Sequence, residues 1–397
     1  MDRKELFAEL KTRCLAALSD DPSVSDSGLF SVIDTVIEEK GRSMYLSLSE
    51  RLTLREMLFN SFRKLDLIQT LVDDPSVTEI MINGKDTIFV EDETGIHRWD
   101  GSFETGEKLE NMIQQIVGRI NRRVNTSDPI ADARLPDGSR VHVVLPPVSV
   151  DGPAVTIRKF PEPFPMDRLI RMGTVTEEAA DFLQKAVLAG YNIFVSGGTS
   201  SGKTTLLNAL SSYIPENERI ITIEDSAELK ITHIPNIVRM ETRDAASDGT
   251  GKIDMSMLIK ASLRMRPDRI IVGEVRDRSA IDMLTAFDTG HDGSLSTGHA
   301  NSCRDMLLRL ESMVLSGMDI PLDAVRRQIG SAVDILVHLE RQPDRSRKVV
   351  EITEVTGYRN GEIGLNPLFT FDRTERTLKK NGTLTYTGKM VRAGIMP

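Results

Sequence analysis

Apolar and polar positions change their rhythm along this chain, and each change marks an expected element. Up to about residue 66 apolar side chains recur at helical spacing amid mixed charge, as in Leu54, Met57, Leu58 and Phe62, which predicts a helical N-terminal extension over 1–66. From Leu71 the period shortens. Thr78 to Asn83 and Thr87 to Val90 flank the turn Asn83-Gly84 and predict a β-hairpin. Lys108 to Ile120 reads as a helix, and Val141 to Leu145 and Ala154 to Ile157 read as strands, so 67–159 is expected to be a small α/β domain. Phe160 to Pro165 then holds three prolines, which disfavour helix and central strand alike and predict a linker over 160–168.

Beyond the linker, Thr174 and Glu177 have capping-box spacing, Phe182, Leu183, Ala186 and Val187 share one apolar face, and Gly190 ends the expected helix. Asn192 to Val195, Arg219 to Ile223 and Arg269 to Val272 are short, bulky apolar runs without alternation, the texture of buried parallel strands. An α/β domain is expected over 169–343. In 344–397, Val349 to Val355 and Thr383 to Tyr386 look like strands and Asn381-Gly382 like a turn, which predicts a small β-rich tail. No internal repeat or low-complexity stretch interrupts the pattern.

Composition narrows the classes. A length of 397 residues accommodates several domains, and 40% hydrophobic with 27% charged residues is ordinary for globular proteins. The chain holds no apolar run near the roughly 20 residues that span a bilayer and no signal-peptide core, so a cytoplasmic protein is expected. Cys14 and Cys303 are the two cysteines, too few for a disulfide framework or a four-cysteine zinc site. A net charge of −9 argues against stable nucleic-acid binding, and the pairs Arg122-Arg123 and Lys379-Lys380 read as solvated surface.

The chemistry concentrates in the expected central domain. Gly197, Gly198, Thr199, Ser200, Ser201, Gly202, Lys203 and Thr204 form a complete phosphate-loop pattern, preceded by a strand-like run and followed from Thr205 by a helical one. Glycines allow backbone N–H groups to wrap a triphosphate, Lys203 supplies a cation, and Thr204 offers a hydroxyl to Mg²⁺. ATP with Mg²⁺ is the expected ligand. Glu274 follows an apolar run at a strand end, where ligands of open α/β sheets collect, and Gly273 stands where motors often carry a first of two acids. Glu224, Asp225 and Glu228 form a second acidic cluster, with Glu224 the first choice to position water; capping of a following helix by Asp225 or Ser226 is the plain alternative. In Gly290 to Ser302, His291 and His299 bracket small hydroxyl residues; their spacing is not that of a helical zinc site, and both are expected to sense the γ-phosphate.

Together the phosphate loop, Thr222 to Asp225, Arg266 to Arg276 and Gly290 to Ser302 resemble, in this order, the ATPases of type II and type IV secretion systems. The resemblance extends through Asp73 to Gly84 and Asp132 to Arg140 upstream and Arg304 to Val355 downstream, covering roughly residues 65–357. Within that superfamily the chain is most similar to the CpaF/TadA ATPases of tight-adherence (Flp) pilus assembly, close to those of conjugative secretion. The resemblance implies a RecA-like P-loop ATPase domain preceded by a PAS-like α/β N-terminal domain, assembled as a homohexamer that works peripherally at the inner membrane on a platform protein. It implies Lys203 and Thr204 at phosphate and Mg²⁺, Glu274 as the Walker-B glutamate and further metal contact, Arg134, Arg140 and Arg158 as N-terminal-domain cations, and Arg264, Arg266 and Arg276 around the Walker-B strand. A conjugative nucleic-acid translocase and a nucleotide-gated secretion scaffold stand as the rival readings.

Overall fold

The computed structural model describes the chain except residues 1–2, 19–24, 64, 93, 119–123, 161–162, 244, 246–249 and 397. Arg122-Arg123 therefore lies outside the described residues. The chain divides into two compact units, 1–161 and 162–397, and the division falls within the proline-rich segment.

The first unit opens with helices α1 (Arg3–Leu18), α2 (Asp26–Ser43) and α3 (Leu48–Arg63). Their apolar positions meet in one cluster built on Leu6, Leu10, Leu29, Ile33, Leu54 and Leu58, with Phe30 stacked on Phe59 at 4.1 Å between ring centroids. After the short helix α4 (Gln69–Asp73) come strands β1 (Glu79–Asn83), β2 (Ile88–Asp92) and β3 (Gly95–Trp99), helix α5 (Gly106–Gly118), then β4 (Ile130–Arg134), β5 (Arg140–Val144) and β6 (Ala154–Arg158). These strands form an antiparallel sheet in the order β3-β2-β1-β6-β5-β4. Alternation puts Ile80, Ile82, Val90, Val141, Val143, Val155 and Ile157 on one face, where they share a core with Leu109, Ile113 and Ile116 of α5.

The second unit contains α6 (Met166–Arg171), α7 (Glu177–Leu188), β7 (Ile193–Gly197), α8 (Lys203–Ser211), β8 (Ile220–Glu224), β9 (Ile237–Glu241), α9 (Met255–Ser262), β10 (Arg269–Val272), α10 (Ser279–Phe287) and β11 (Leu295–Gly298). It continues with α11 (Cys303–Leu315), α12 (Leu322–Ala332), β12 (Ile335–Arg341), β13 (Arg347–Arg359), β14 (Glu362–Asp372), β15 (Thr377–Lys380) and α13 (Gly388–Arg392). One sheet collects all nine strands in the order β15-β14-β13-β12-β7-β11-β10-β8-β9. The six from β12 to β9 are parallel, and β13 to β15 extend that sheet as antiparallel neighbours. Helices α6 to α8 cover one face, over Ile193, Val195, Ile271 and Val337, and α9 to α12 cover the other, over Phe194, Ile223, Val272 and Leu336. Burial on both faces is why these runs lack alternation.

Some local expectations are corrected. Thr174 is not a cap: α7 starts after Thr176, whose side chain makes no capping bond, while the Thr174 carbonyl accepts from Val349 N. No helix follows Glu224, so neither Asp225 nor Ser226 caps one. Thr383 to Tyr386 is not a strand, because a buried carboxylate replaces a strand edge as its partner: Glu354 accepts from Thr385 N and Tyr386 N at 2.7–3.0 Å. Lys379 and Lys380 are surface ion-pair members, with Asp372 and Glu375 and with Glu178.

The tail that follows is clamped. Lys389 Nζ lies 2.7 Å from both Asp292 Oδ1 and Asp334 Oδ2 and donates to the Gly190 carbonyl at 3.0 Å. Burial holds the Asp334 carboxyl above its ordinary range, and Lys389 opposes that shift. Lys389→Met should therefore leave Asp334 without its cation and cost about 2 kcal/mol, below the roughly 3–5 kcal/mol of a fully buried pair. Urea unfolding checks it, and an unchanged midpoint would dismiss the clamp as a stabilising element.

Candidate active site

Four neighbouring strands, β7, β11, β10 and β8, deliver the candidate residues at their C-terminal ends, where an open parallel sheet gathers ligands. β7 ends at Gly197, and the loop Gly198 to Ser201 leads to Gly202, whose φ of 97° is a left-handed turn into α8. Gly198, Thr199 and Ser200 are exposed, Ser201 is buried, and Thr204 and Thr205 occupy the first turn of α8 half-buried. The N-terminus of that helix, a positive dipole end with unpaired N–H groups, thus stands beside the loop.

Lys203 folds back over the loop. Its Nζ donates to the carbonyls of Gly197 at 3.1 Å and Gly198 at 3.0 Å and lies 3.3 Å from His299 Nδ1. Burial lowers its affinity for a proton; Glu274 opposes that shift and Arg276 adds to it. His299 follows β11, and its Nε2 is 2.8 Å from Glu274 Oε1, a close polar contact outside hydrogen-bond alignment; burial lowers the ring's affinity for a proton, Lys203 and Arg276 add to that shift and Glu274 opposes it. Arg276 grips Glu274 Oε2 through Nε at 2.9 Å and Nη2 at 2.6 Å. Lys203, His299, Glu274 and Arg276 form one connected chain of polar contacts.

Glu224 ends β8 and is 3% exposed. Its Oε2 accepts from the backbone N–H groups of Glu228 at 2.9 Å and Leu229 at 3.1 Å, whereas its Oε1 is buried with no partner. Burial, opposed by those two hydrogen bonds, pushes its pKa up to about 7. The neighbouring strand explains the missing acid at 273: a Cβ on Gly273 would sit 2.8 Å from Glu224 Cγ. The space of that first acid is filled from β8. Thr297 fixes the same backbone by donating to the Gly273 carbonyl at 2.7 Å. Glu228 contributes its N–H, and Asp225 stands exposed at 3.8 Å from Arg276.

Mg²⁺ takes hard oxygen ligands. The Thr204 hydroxyl on α8 and the Glu274 carboxylate on the strand end fit it as donors, and Glu274 Oε1 is buried without a hydrogen-bond partner.

Other sequence candidates lie elsewhere. His291 stands before β11, at the N-terminal ends of the strands, where its Nδ1 is 3.0 Å from the Ala286 carbonyl and Asn192 holds the following turn. His291 therefore stands apart from His299, with which it is expected to sense the γ-phosphate, because β11 carries the two histidines to opposite ends of the strand. Arg264 and Arg266 are exposed before β10 at that same edge, so of the three arginines around this strand only Arg276 joins the site within the chain. In the first unit, Arg134, Arg140 and Arg158 pair in register across β4, β5 and β6, a row of three guanidinium-bearing positions on the face opposite the core.

Arg347, which sequence reasoning missed, donates from Nε to the Ser200 carbonyl at 3.1 Å. The basic run Arg345 to Lys348 was visible, but its approach to the loop depends on β12 and β13 pairing.

Residues 62–383 match the family model described as "Type II/IV secretion system protein". The probable conjugal transfer protein TrbB of Sinorhizobium fredii is 36% identical over 322 residues, covering 78% of this chain and 93% of that protein. The type IV secretion system protein PtlH of Bordetella pertussis is 34% identical over 312 residues, covering 72% and 91%. Among solved structures, the pilus retraction motor PilT with bound ADP superimposes with a TM-score of 0.55 at 18% identity, covering 83% of this chain and 86% of that one, a likeness of fold.

Proposed function

The chain belongs to the type II/IV secretion system protein family, and on that premise we propose that it hydrolyses ATP as a motor subunit. The observation that carries this reading is the connected chain Lys203–His299–Glu274–Arg276 beside the buried, partnerless Glu224 oxygen, all at the strand ends around one phosphate loop.

Each residue has a task. Loop N–H groups and the α8 N-terminus bind the phosphates, and Lys203 places its ammonium on the terminal oxygens. Glu224 Oε1 accepts a proton from the attacking water, for which a carboxyl poised near neutrality is suited. His299 and Arg276 set the orientation of Glu274 and oppose the charge that develops on the transferred group. Thr204 and Glu274 would hold Mg²⁺, which when bound neutralises phosphate charge.

At the level of assembly, the reading is a cytoplasmic homohexamer acting on an inner-membrane platform protein, with tight-adherence pilus assembly as the specific process. No helix among the described residues is long and apolar enough to cross a membrane, so membrane association would come through that partner. The conjugal-transfer name of the TrbB relative favours a second reading, a nucleic-acid-translocating conjugation ATPase.

The test is Mg²⁺-dependent ATP hydrolysis across a protein concentration series with light scattering, with and without single-stranded DNA. Turnover per subunit that rises as rings form supports the motor. Rings that bind ATP without turnover would replace it with a nucleotide-gated scaffold, and stimulation by DNA would favour the translocating reading.

A further inference from the structure

One residue before the phosphate loop, two buried polar side chains meet on neighbouring strands. In register, Gly298 of β11 faces Ser196 of β7, Ser196 faces His338 of β12, and His338 faces Glu351 of β13. Ser196 is 0% and His338 2% exposed. His338 Nδ1 lies 2.9 Å from Ser196 Oγ, and a buried ring in such a place needs a reason, because an imidazole is costly to bury without partners for both nitrogens.

The geometry ties the ring to β7. The Ser196 hydroxyl lies 2.9 Å from His338 Nδ1 and 3.4 Å from the Val337 carbonyl, so both of its near partners belong to β12. Burial lowers the ring's affinity for a proton, a shift opposed by Glu340, Glu351, Asp305 and the Asn301 backbone, and a neutral imidazole offers an acceptor nitrogen to that hydroxyl.

Ser196 stands between the two segments that hold Lys203. It precedes Gly197, whose carbonyl takes the Lys203 ammonium, and it pairs in register with Gly298, the residue before His299, which touches that ammonium from the other side. We propose that His338 is a positioning residue for the hydrolytic reaction: by bridging from β12 to Ser196 beneath the site, it fixes the roots of the phosphate loop and of the His299 loop against one another. The inference rests on the hydrolytic reading of the same site. It predicts that loss of the bridge slows turnover without weakening nucleotide binding, since both loops remain but lose their mutual alignment.

The full-length protein is compared with His338→Leu, His338→Gln and Ser196→Ala, reading kcat, KM for ATP, thermal midpoint and hydrogen exchange of peptides covering 193–199 and 298–302. His338→Leu should lower kcat about tenfold or more while KM stays within about twofold, because misplacement rather than lost contact is the defect. Glutamine, which keeps a donor and an acceptor, should restore much of kcat. Ser196→Ala should resemble His338→Leu, and the two together should be no worse than either. In exchange, both peptides should open together in His338→Leu while peptides of the first unit stay unchanged. Unaltered exchange in the two loops, or a kcat that falls only in step with the folded fraction, overturns the proposal even in a protein that turns over slowly. A parent without any turnover would instead sink the hydrolytic reading, with the exchange result still deciding whether the bridge exists.

Discussion

Lys203→Ala should weaken ATP binding by roughly 30- to 5,000-fold, the effect of removing one partner from a desolvated charge contact worth about 2–5 kcal/mol. The ammonium is buried against two loop carbonyls and His299, so its loss takes away the cation for the phosphates and leaves those carbonyls without their donor. Equilibrium binding of a fluorescent ATP analogue reads this directly, with hydrolysis falling below detection at the same time. Undiminished affinity would remove the phosphate-loop argument, because Lys203 is the cation buried within the loop, whereas Arg347 reaches the loop from its exposed side at the Ser200 carbonyl and Arg276 is paired with Glu274.

Glu224→Gln should act on a different step. The amide preserves the shape and can still accept from Glu228 N and Leu229 N, but it cannot take a proton, so turnover should fall about 10²- to 10⁴-fold with ATP binding retained. The pH profile identifies the group. Burial raises its pKa to about 7, so the ionised base grows in as pH rises, and kcat/KM should climb with pH up to about 7 and level off above it. In the glutamine variant that rise should vanish. Stability runs the other way: a carboxyl whose folded pKa lies above its unfolded value favours the folded state below the unfolded pKa of 4.5 and loses that contribution as pH rises through about 7. Glu224→Gln should therefore be more stable than the parent at pH 8. A variant with the parent's pH profile and stability would assign the base to another residue.

The loop residues were legible in the sequence because their geometry is local: Gly197 to Thr204 form their cradle from consecutive backbone groups. Strands β7, β8 and β10 were legible because burial on both faces leaves unbroken apolar runs. Direction through the sheet was not. His291 and His299 are eight positions apart and bracket the same small residues, yet β11 runs between them and carries one to each edge. Arg266 and Arg276 are parted in the same way by β10. The tail failed for a related reason, since Thr383 to Tyr386 has a strand-like composition but finds its hydrogen bonds on Glu354, a residue distant in sequence. His338 and Arg347 were invisible because what matters about each is its neighbour on another strand or loop.

The overlap of Glu224 with the space above Gly273 restricts how this site can change through descent. A carboxylate can rise from one strand or stand on the next, but any side chain at 273 collides with the one at 224. A lineage moving the acid across would need two mutations, and either one arriving first would yield a protein with a clash or without its buried base. The two positions should therefore be inherited as a unit, with glycine at one accompanying glutamate at the other.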